Sequence, residues 1–317
     1  MSGQLLSLIP IIVLGIAIFF LIGIEELSKI LETDIQKKMN IKNNNNLMSD
    51  DEFFKKVEKN QVFLIGSSHM GQVNATEVQK FSNLQNIIYN ISQASDTPFQ
   101  RLDQIDKIIE SDPKIILYGI SYRDFKFPYD GSLITKDVLD SNEKMDCLKI
   151  IMSQFFPENP WYQIRKIIGL DGLNSKKEYV ATPNTPFYIY EFQSEPTKDV
   201  KDFEGNSIEN WNEVNTTLCE IKSLKQFISK TSNNKIKVIL LTTPIHQTTL
   251  EHLSKSQKDN FEIVKQYFRE KYDIKILEFE DKYSSNNNIW KDGDHIASDA
   301  KIEVFNRDLA KILDDEQ

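Results

Sequence analysis

Val62-Phe63-Leu64-Ile65-Gly66-Ser67-Ser68-His69-Met70 is the stretch on which the reading of this chain turns. Four consecutive apolar residues with no polar alternation read as a short strand buried on both faces, the mark of a parallel sheet rather than a half-solvated antiparallel one. Gly66 and the small residues after it permit a tight strand-to-helix turn. Such a turn exposes a hydroxyl at a helix start, where backbone amides favour a developing anion.

The same alternation continues along the chain. Ile87–Ile91, Ile115–Tyr118, Val238–Thr242 and Ile274–Phe279 are further strand candidates, and Phe99–Ile109, Leu218–Ser229, Leu250–Tyr272 and Asp299–Leu313 carry helical periodicity. Strands alternating with amphipathic helices predict a three-layer α/β/α parallel sheet. About 115 residues separate the third and fourth strands, far more than a crossover helix needs, so roughly 125–210 reads as an insertion. It holds Trp161, Trp211 and the aromatic run Phe187, Tyr188, Tyr190 and Phe192. A cap over the sheet and a packed structural subdomain are both open readings of it.

Ligands of open parallel sheets sit beyond the carboxyl ends of the strands. The last such place is Trp290-Lys-Asp292-Gly-Asp294-His295-Ile-Ala, before a final helix capped by Ser298 or Asp299. A serine hydroxyl is a weak nucleophile without a base, and an imidazole works best when a carboxylate fixes its tautomer; Asp292, three residues before His295, can do that. Ser67 and Ser68 have a bland alternative as helix caps. Asp294 is expected to face solvent. His69, next to the candidate nucleophile, is expected to cap or pack locally, with substrate contact as the alternative. His246, after the fourth strand, suits substrate contact or a structural hydrogen bond, and His252 is expected to be exposed on a helix. His69, His246, His295, Asp292 and Asp294 could converge on a divalent ion, but no His-x-Glu-x-x-His spacing supports it, and no metal is expected. With 11 glycines and neither a Gly-x-Gly-x-x-Gly nor a Gly-x-x-x-x-Gly-Lys-Ser/Thr pattern, no nucleotide cofactor is expected either.

Gly66-Ser67-Ser68 near the start of the α/β region and Asp292-Gly-Asp294-His295 near its end resemble the first and last blocks of the SGNH/GDSL hydrolase superfamily. The resemblance covers about 61–124 and 235–317. It implies Ser68 as nucleophile, with its amide as one oxyanion donor, His295 as general base and Asp292 as the residue orienting it. The family's second block supplies a glycine amide that Tyr89-Asn90-Ile-Ser92-Gln93-Ala-Ser95 lacks. Its third block, Gly-x-Asn-Asp, reads Gly119-Ile-Ser121-Tyr-Arg123-Asp124 here, with Ser121 in place of the asparagine. Ser121, Asn90, Gln93 or Arg123 must then substitute for the missing donors, with Gly119, His69 and His246 as further substrate-binding candidates, or catalysis is weak and the chain is a binding protein. Anchored members of the family act in lipoteichoic-acid D-alanylation and alginate-type O-acetylation. The resemblance therefore implies an esterase or O-acyltransferase acting on a cell-surface glycan, with a membrane acyl-carrier protein as partner.

The rest of the 317 residues supply context. The composition is 40% hydrophobic and 27% charged, which is globular and not disordered. A balance of 38 Lys+Arg against 47 Asp+Glu gives −9, and with no basic cluster this disfavours nucleic acid. Leu5 to Ile24 is twenty residues without a charge, about 30 Å as a helix, and reads as an uncleaved transmembrane anchor in the lipid bilayer. Residues 25–60, with Asn43 to Asn46 at their middle, read as a stalk carrying short helical stretches, one around Phe53 and Val57. Glu25 and Glu26 followed by Lys29, Lys37 and Lys38 lean weakly toward a cytoplasmic C-terminal domain, whereas the resemblance implies an extracytoplasmic one. Three Asn-x-Ser/Thr sequons are what 25 Asn and 39 Ser+Thr yield by chance, so they do not decide the matter. Cys147 and Cys219 leave one bridge or two idle thiols.

Overall fold

The computed structural model describes residues 50–93, 96–131, 133–141, 146–148, 150, 184, 200, 214–297 and 303–316. All belong to one compact unit. The apolar run at 5–24, most of the stalk and insertion, and the aromatic residues expected within that insertion lie outside these. Among the described residues no helix is long and apolar enough to cross a membrane.

The elements run α1 (Asp50–Lys56), β1 (Val62–Ile65), α2 (Ser68–Gly71), α3 (Ala75–Phe81), β2 (Ile88–Asn90), α4 (Pro98–Arg101), α5 (Ile105–Glu110), β3 (Ile115–Ile120), α6 (Tyr122–Phe125), α7 (Lys136–Asp140), α8 (Val214–Asn233), β4 (Lys237–Thr242), α9 (Gln247–His252), α10 (Lys255–Tyr272), β5 (Lys275–Leu277) and α11 (Glu303–Asp315). The five strands form one all-parallel sheet in the order β2-β1-β3-β4-β5. This is the doubly wound order of flavodoxin-like sheets, with its switch point between β1 and β3. The expected three-layer fold is what forms.

The sheet is buried on both sides because β1 and β3 carry no exposed residue. Phe63, Ile65, Ile116, Tyr118, Ile120 and Leu240 point to one face, against Ile221, Leu224, Phe227 and Ile228 of α8 and Phe261, Val264 and Phe268 of α10. Val62, Leu64, Ile115, Leu117, Ile239 and Leu241 point to the other, against Val78 of α3 and Phe305, Leu309 and Leu313 of α11. Alternate residues of one strand thus serve two cores, as the period of two requires.

Three local expectations are corrected. The helix around Phe53, placed in the stalk, is packed into the body: Phe53 is buried and meets Phe63 and Tyr89 edge-on or tilted. The helix expected over Leu250–Tyr272 breaks at Leu253 because Ser254 and Gln257 form a capping box that starts a new one. Phe99–Ile109 divides at a 3₁₀ turn, Leu102–Gln104. Cys147 and Cys219 are joined in a disulfide, with their Cα atoms 5.4 Å apart. It ties the start of the insertion to α8.

Candidate active site

Ser68 opens α2 directly after β1, and the turn that places it depends on two glycines. Gly66 has φ +155°, and a Cβ there would stand 2.7 Å from Met70 Cγ. A Cβ on Gly119 of β3 would stand 2.0 Å from the same atom. Met70, fully buried, is therefore the anchor that pulls the single helical turn down onto the sheet. Gly119, a substrate-binding candidate by sequence, leaves room for that anchor instead.

The two ends of the α/β region meet there. Ser68 Oγ lies 2.9 Å from His295 Nε2, and His295 Nδ1 lies 3.0 and 3.2 Å from the two oxygens of Asp292. Asp292 Oδ1 also accepts the backbone amides of Asp294 and His295, so the carboxylate closes its own turn as it orients the ring. That turn is held from below. His295 O accepts from Lys291 N, Trp290 bridges Ile296, and the Trp290 indole is fully buried. His246 braces it from β4: its amide donates to Gly293 O, its Nδ1 accepts from Thr248 N, and its Nε2 lies 2.8 Å from Asn287 Oδ1. His246 thus makes the structural hydrogen bonds that the sequence allowed it.

Asp294 does not face solvent. Its side chain is 1% exposed, and Oδ2 accepts from His69 Nε2 at 3.0 Å and Arg123 Nη1 at 2.9 Å. Partners from distant parts of the chain draw it inward. With Asp292 turned back to cap residues 294 and 295, Asp294 points inward toward α2. His69 is likewise more than a local cap. Its Nδ1 lies 3.0 Å from Ser67 Oγ, and its ring stacks on that of His295 with centroids 4.8 Å apart and planes 9° apart.

Charges in this cluster shift accordingly. Burial disfavours the charged form of His295, but the hydrogen bond to Asp292 and the nearby negative charges of Asp292 and Asp294 outweigh it and raise the ring to about 9. Burial pushes the Asp294 carboxyl up, yet His295 and His69 hold it well below the usual carboxylate range. Asp124 is raised by burial, against His69 and hydrogen bonds from Ser121 and Ser67.

The oxyanion candidates fare unevenly. The Ser68 amide sits at the first position of a helical turn, where an N–H has no partner within the helix. Asn90 does not point at the site: its Nδ2 donates to Met70 O and Val73 O, its Oδ1 accepts from Ser92 N, and its amide donates to Asn184 O of the insertion. Ser121 donates both its amide and its hydroxyl to Asp124, capping α6. Arg123 is bound to Asp294. Gln93 remains beside the nucleophile turn, its amide donating to Gly66 O and its side chain half-buried.

His69, Asp294 and His295 also bring one potential ligand atom each within 4.8 Å of one another. They suit a metal poorly. A nitrogen lone pair lies in its ring plane, and two stacked, parallel rings cannot aim theirs at one ion between them. His246, also among the sequence candidates, is occupied by Thr248 and Asn287. His252 is exposed, as expected.

A hydroxyl, an imidazole and a carboxylate in this order are the parts of a serine nucleophile, its base and the group orienting the base. No protein-family model matches the chain. No curated protein matches it either. Among solved structures it is similar to a Bacteroides fragilis protein taken to be an acylhydrolase, at 12% identity and a TM-score of 0.41, covering 84% of this chain and 96% of that one. An acetyl xylan esterase gives 10% identity and a TM-score of 0.39, over 80% of this chain and 97% of its own. A GDSL-like lipase from Bacteroides thetaiotaomicron gives 11% identity and a TM-score of 0.36, over 81% and 88%. Similarities of this size leave the fold to rest on the sheet topology and the chemistry on the site.

Proposed function

We propose that the chain is a membrane-anchored, SGNH-type serine esterase or O-acyltransferase. The contact that carries this reading is Ser68 Oγ to His295 Nε2 at 2.9 Å, made across 227 residues of chain, with Asp292 behind the ring. His295 takes the Ser68 hydroxyl proton on Nε2 as Oγ bonds to an ester carbonyl carbon. The carbonyl electron pair moves onto oxygen, toward the Ser68 amide and Gln93. Collapse breaks the bond to the alkoxide, which leaves with the proton from Nε2. The acyl-serine is then attacked by water or by a glycan hydroxyl, the same nitrogen taking and returning a proton.

The surroundings are read with this. The Cys147–Cys219 disulfide supports an oxidising compartment, hence an extracytoplasmic domain with residues 5–24 as its anchor, against the weak lysine count. A cell-surface glycan as acceptor and a membrane acyl-carrier protein as donor follow from the resemblance. A fluorophosphonate serine probe on the full chain in detergent is the test: the wild type is labelled and Ser68→Ala is not. The commitment of Asn90 and Ser121 to other partners favours a second reading, a catalytically weak glycan-binding protein. Absence of labelling across a panel of activated esters, with glycan capture surviving Ser68→Ala, would put that one ahead.

A further inference from the structure

His295 Nδ1 faces two carboxylates, and only one has been given a task. Asp292 Oδ1 is shared among three donors, the amides of Asp294 and His295 and the ring itself, and its side chain is 35% exposed. Asp294 Oδ1 lies closer to Nδ1, at 2.9 Å, but off the line of a hydrogen bond; it is buried and accepts none. A buried carboxylate oxygen without a donor is costly, and a small rotation of the imidazole supplies one. The other oxygen, Oδ2, is fixed by His69 Nε2 and Arg123 Nη1, so Asp294 cannot turn away.

We infer that Asp294 is a second carboxylate for His295, a positioning residue held by His69 and Arg123 that shares the Nδ1 proton with Asp292. This rests on Ser68 being the nucleophile. When Ser68 gives up its proton the ring becomes an imidazolium, and Nδ1–H then has two acceptors, one wet and one dry. The dry one attracts the charge more strongly because water screens it less. The sequence supports the division of work. Asp292 must close the turn as well as orient the ring, and closing it loads the oxygen nearer the ring, at 3.0 Å, leaving the other at 3.2 Å. His69 stacked on His295 supports the ring from one face.

The test is the pH profile of kcat and KM for an activated ester, using the full chain in detergent. The charged groups facing His295 are Asp292 and Asp294 from its own turn, Lys291 at 3.9 Å from Asp292, His69 from α2 and, through Asp294, Arg123 from α6. Asp292→Asn and Asp294→Asn should each lower kcat about tenfold with KM little changed and move the rising limb, set by deprotonation of His295, down by about one pH unit or more. The double variant should lose about 10⁴-fold, beyond the product of the singles, because only then has Nδ1 no carboxylate. Arg123→Gln, on a part-exposed side chain, covers the case in which Asp294→Asn fails to fold. It removes the cation opposing Asp294 and should move the limb up. A full 10⁴-fold loss in Asp292→Asn, with kcat and limb unchanged in Asp294→Asn or limb unchanged in Arg123→Gln, overturns the inference. Serine-probe labelling that survives Ser68→Ala overturns the reading beneath it.

Discussion

On the proposed mechanism, the pH dependence of Ser68 reactivity follows from the ring that deprotonates it. His295 accepts the Ser68 proton only when neutral, and Asp292 and Asp294 hold it charged up to about 9. At pH 7, two units lower, about one ring in a hundred is neutral, so kcat/KM should be about 1% of its plateau and rise tenfold per unit toward pH 9. Fluorophosphonate labelling rates from pH 6 to 10, with Ser68→Ala as the blank, read this directly. The same shift acts on stability. A folded-state value of about 9 against the ordinary imidazole value of 6.5 means that charging His295 stabilises the fold fully below pH 6.5, and that this is lost as pH rises to about 9. The difference amounts to about 3 kcal/mol. Melting temperature should therefore fall across that window in the wild type and fall less in His295→Gln. A labelling limb centred near 6.5 would refute the reasoning, because the two carboxylates would then not be acting on the ring.

Other expectations concern the scaffold. Gly119→Ala puts a Cβ 2.0 Å from Met70 Cγ, and the overpacking should cost about 1 to 3 kcal/mol in urea denaturation while lowering probe labelling at Ser68. Reducing Cys147–Cys219, which are 72 residues apart, should lower stability by about 4 kcal/mol if chain entropy dominates, seen as a shift of the denaturation midpoint with dithiothreitol. Phe53→Ala should cost about 3 to 5 kcal/mol, a loss that a stalk residue could not produce.

Much of the site was legible because its two halves are local. Gly66-Ser67-Ser68 and Asp292-Gly-Asp294-His295 each have a spacing that restricts what the residues can do, and the strand before each turn is apolar enough to be placed within a residue or two. Asp294 and His69 were misread for the same reason. Nothing local says which of two aspartates in a tight turn points inward, and the partners that draw Asp294 in lie 225 and 171 residues away. The oxyanion candidates show the converse. Asn90 and Ser121 stand at the ends of the right strands, but their hydrogen-bonding groups are used up by Met70, Val73 and Asp124, and only assembled neighbours reveal that.

By itself the sequence determined the layer architecture and the strands, and its resemblance to a known family pointed to Ser68, His295 and Asp292 as one group. Continuous apolar runs and turn chemistry are properties of neighbouring residues, and they survive whatever the rest of the chain does. Tertiary structure alone decided that Met70 needs two glycines, that Phe53 belongs to the core, and that His295 sits between two carboxylates with His69 stacked on it. Each of these depends on distances between segments far apart in the chain, which burial and packing fix only once the sheet has brought its carboxyl ends together.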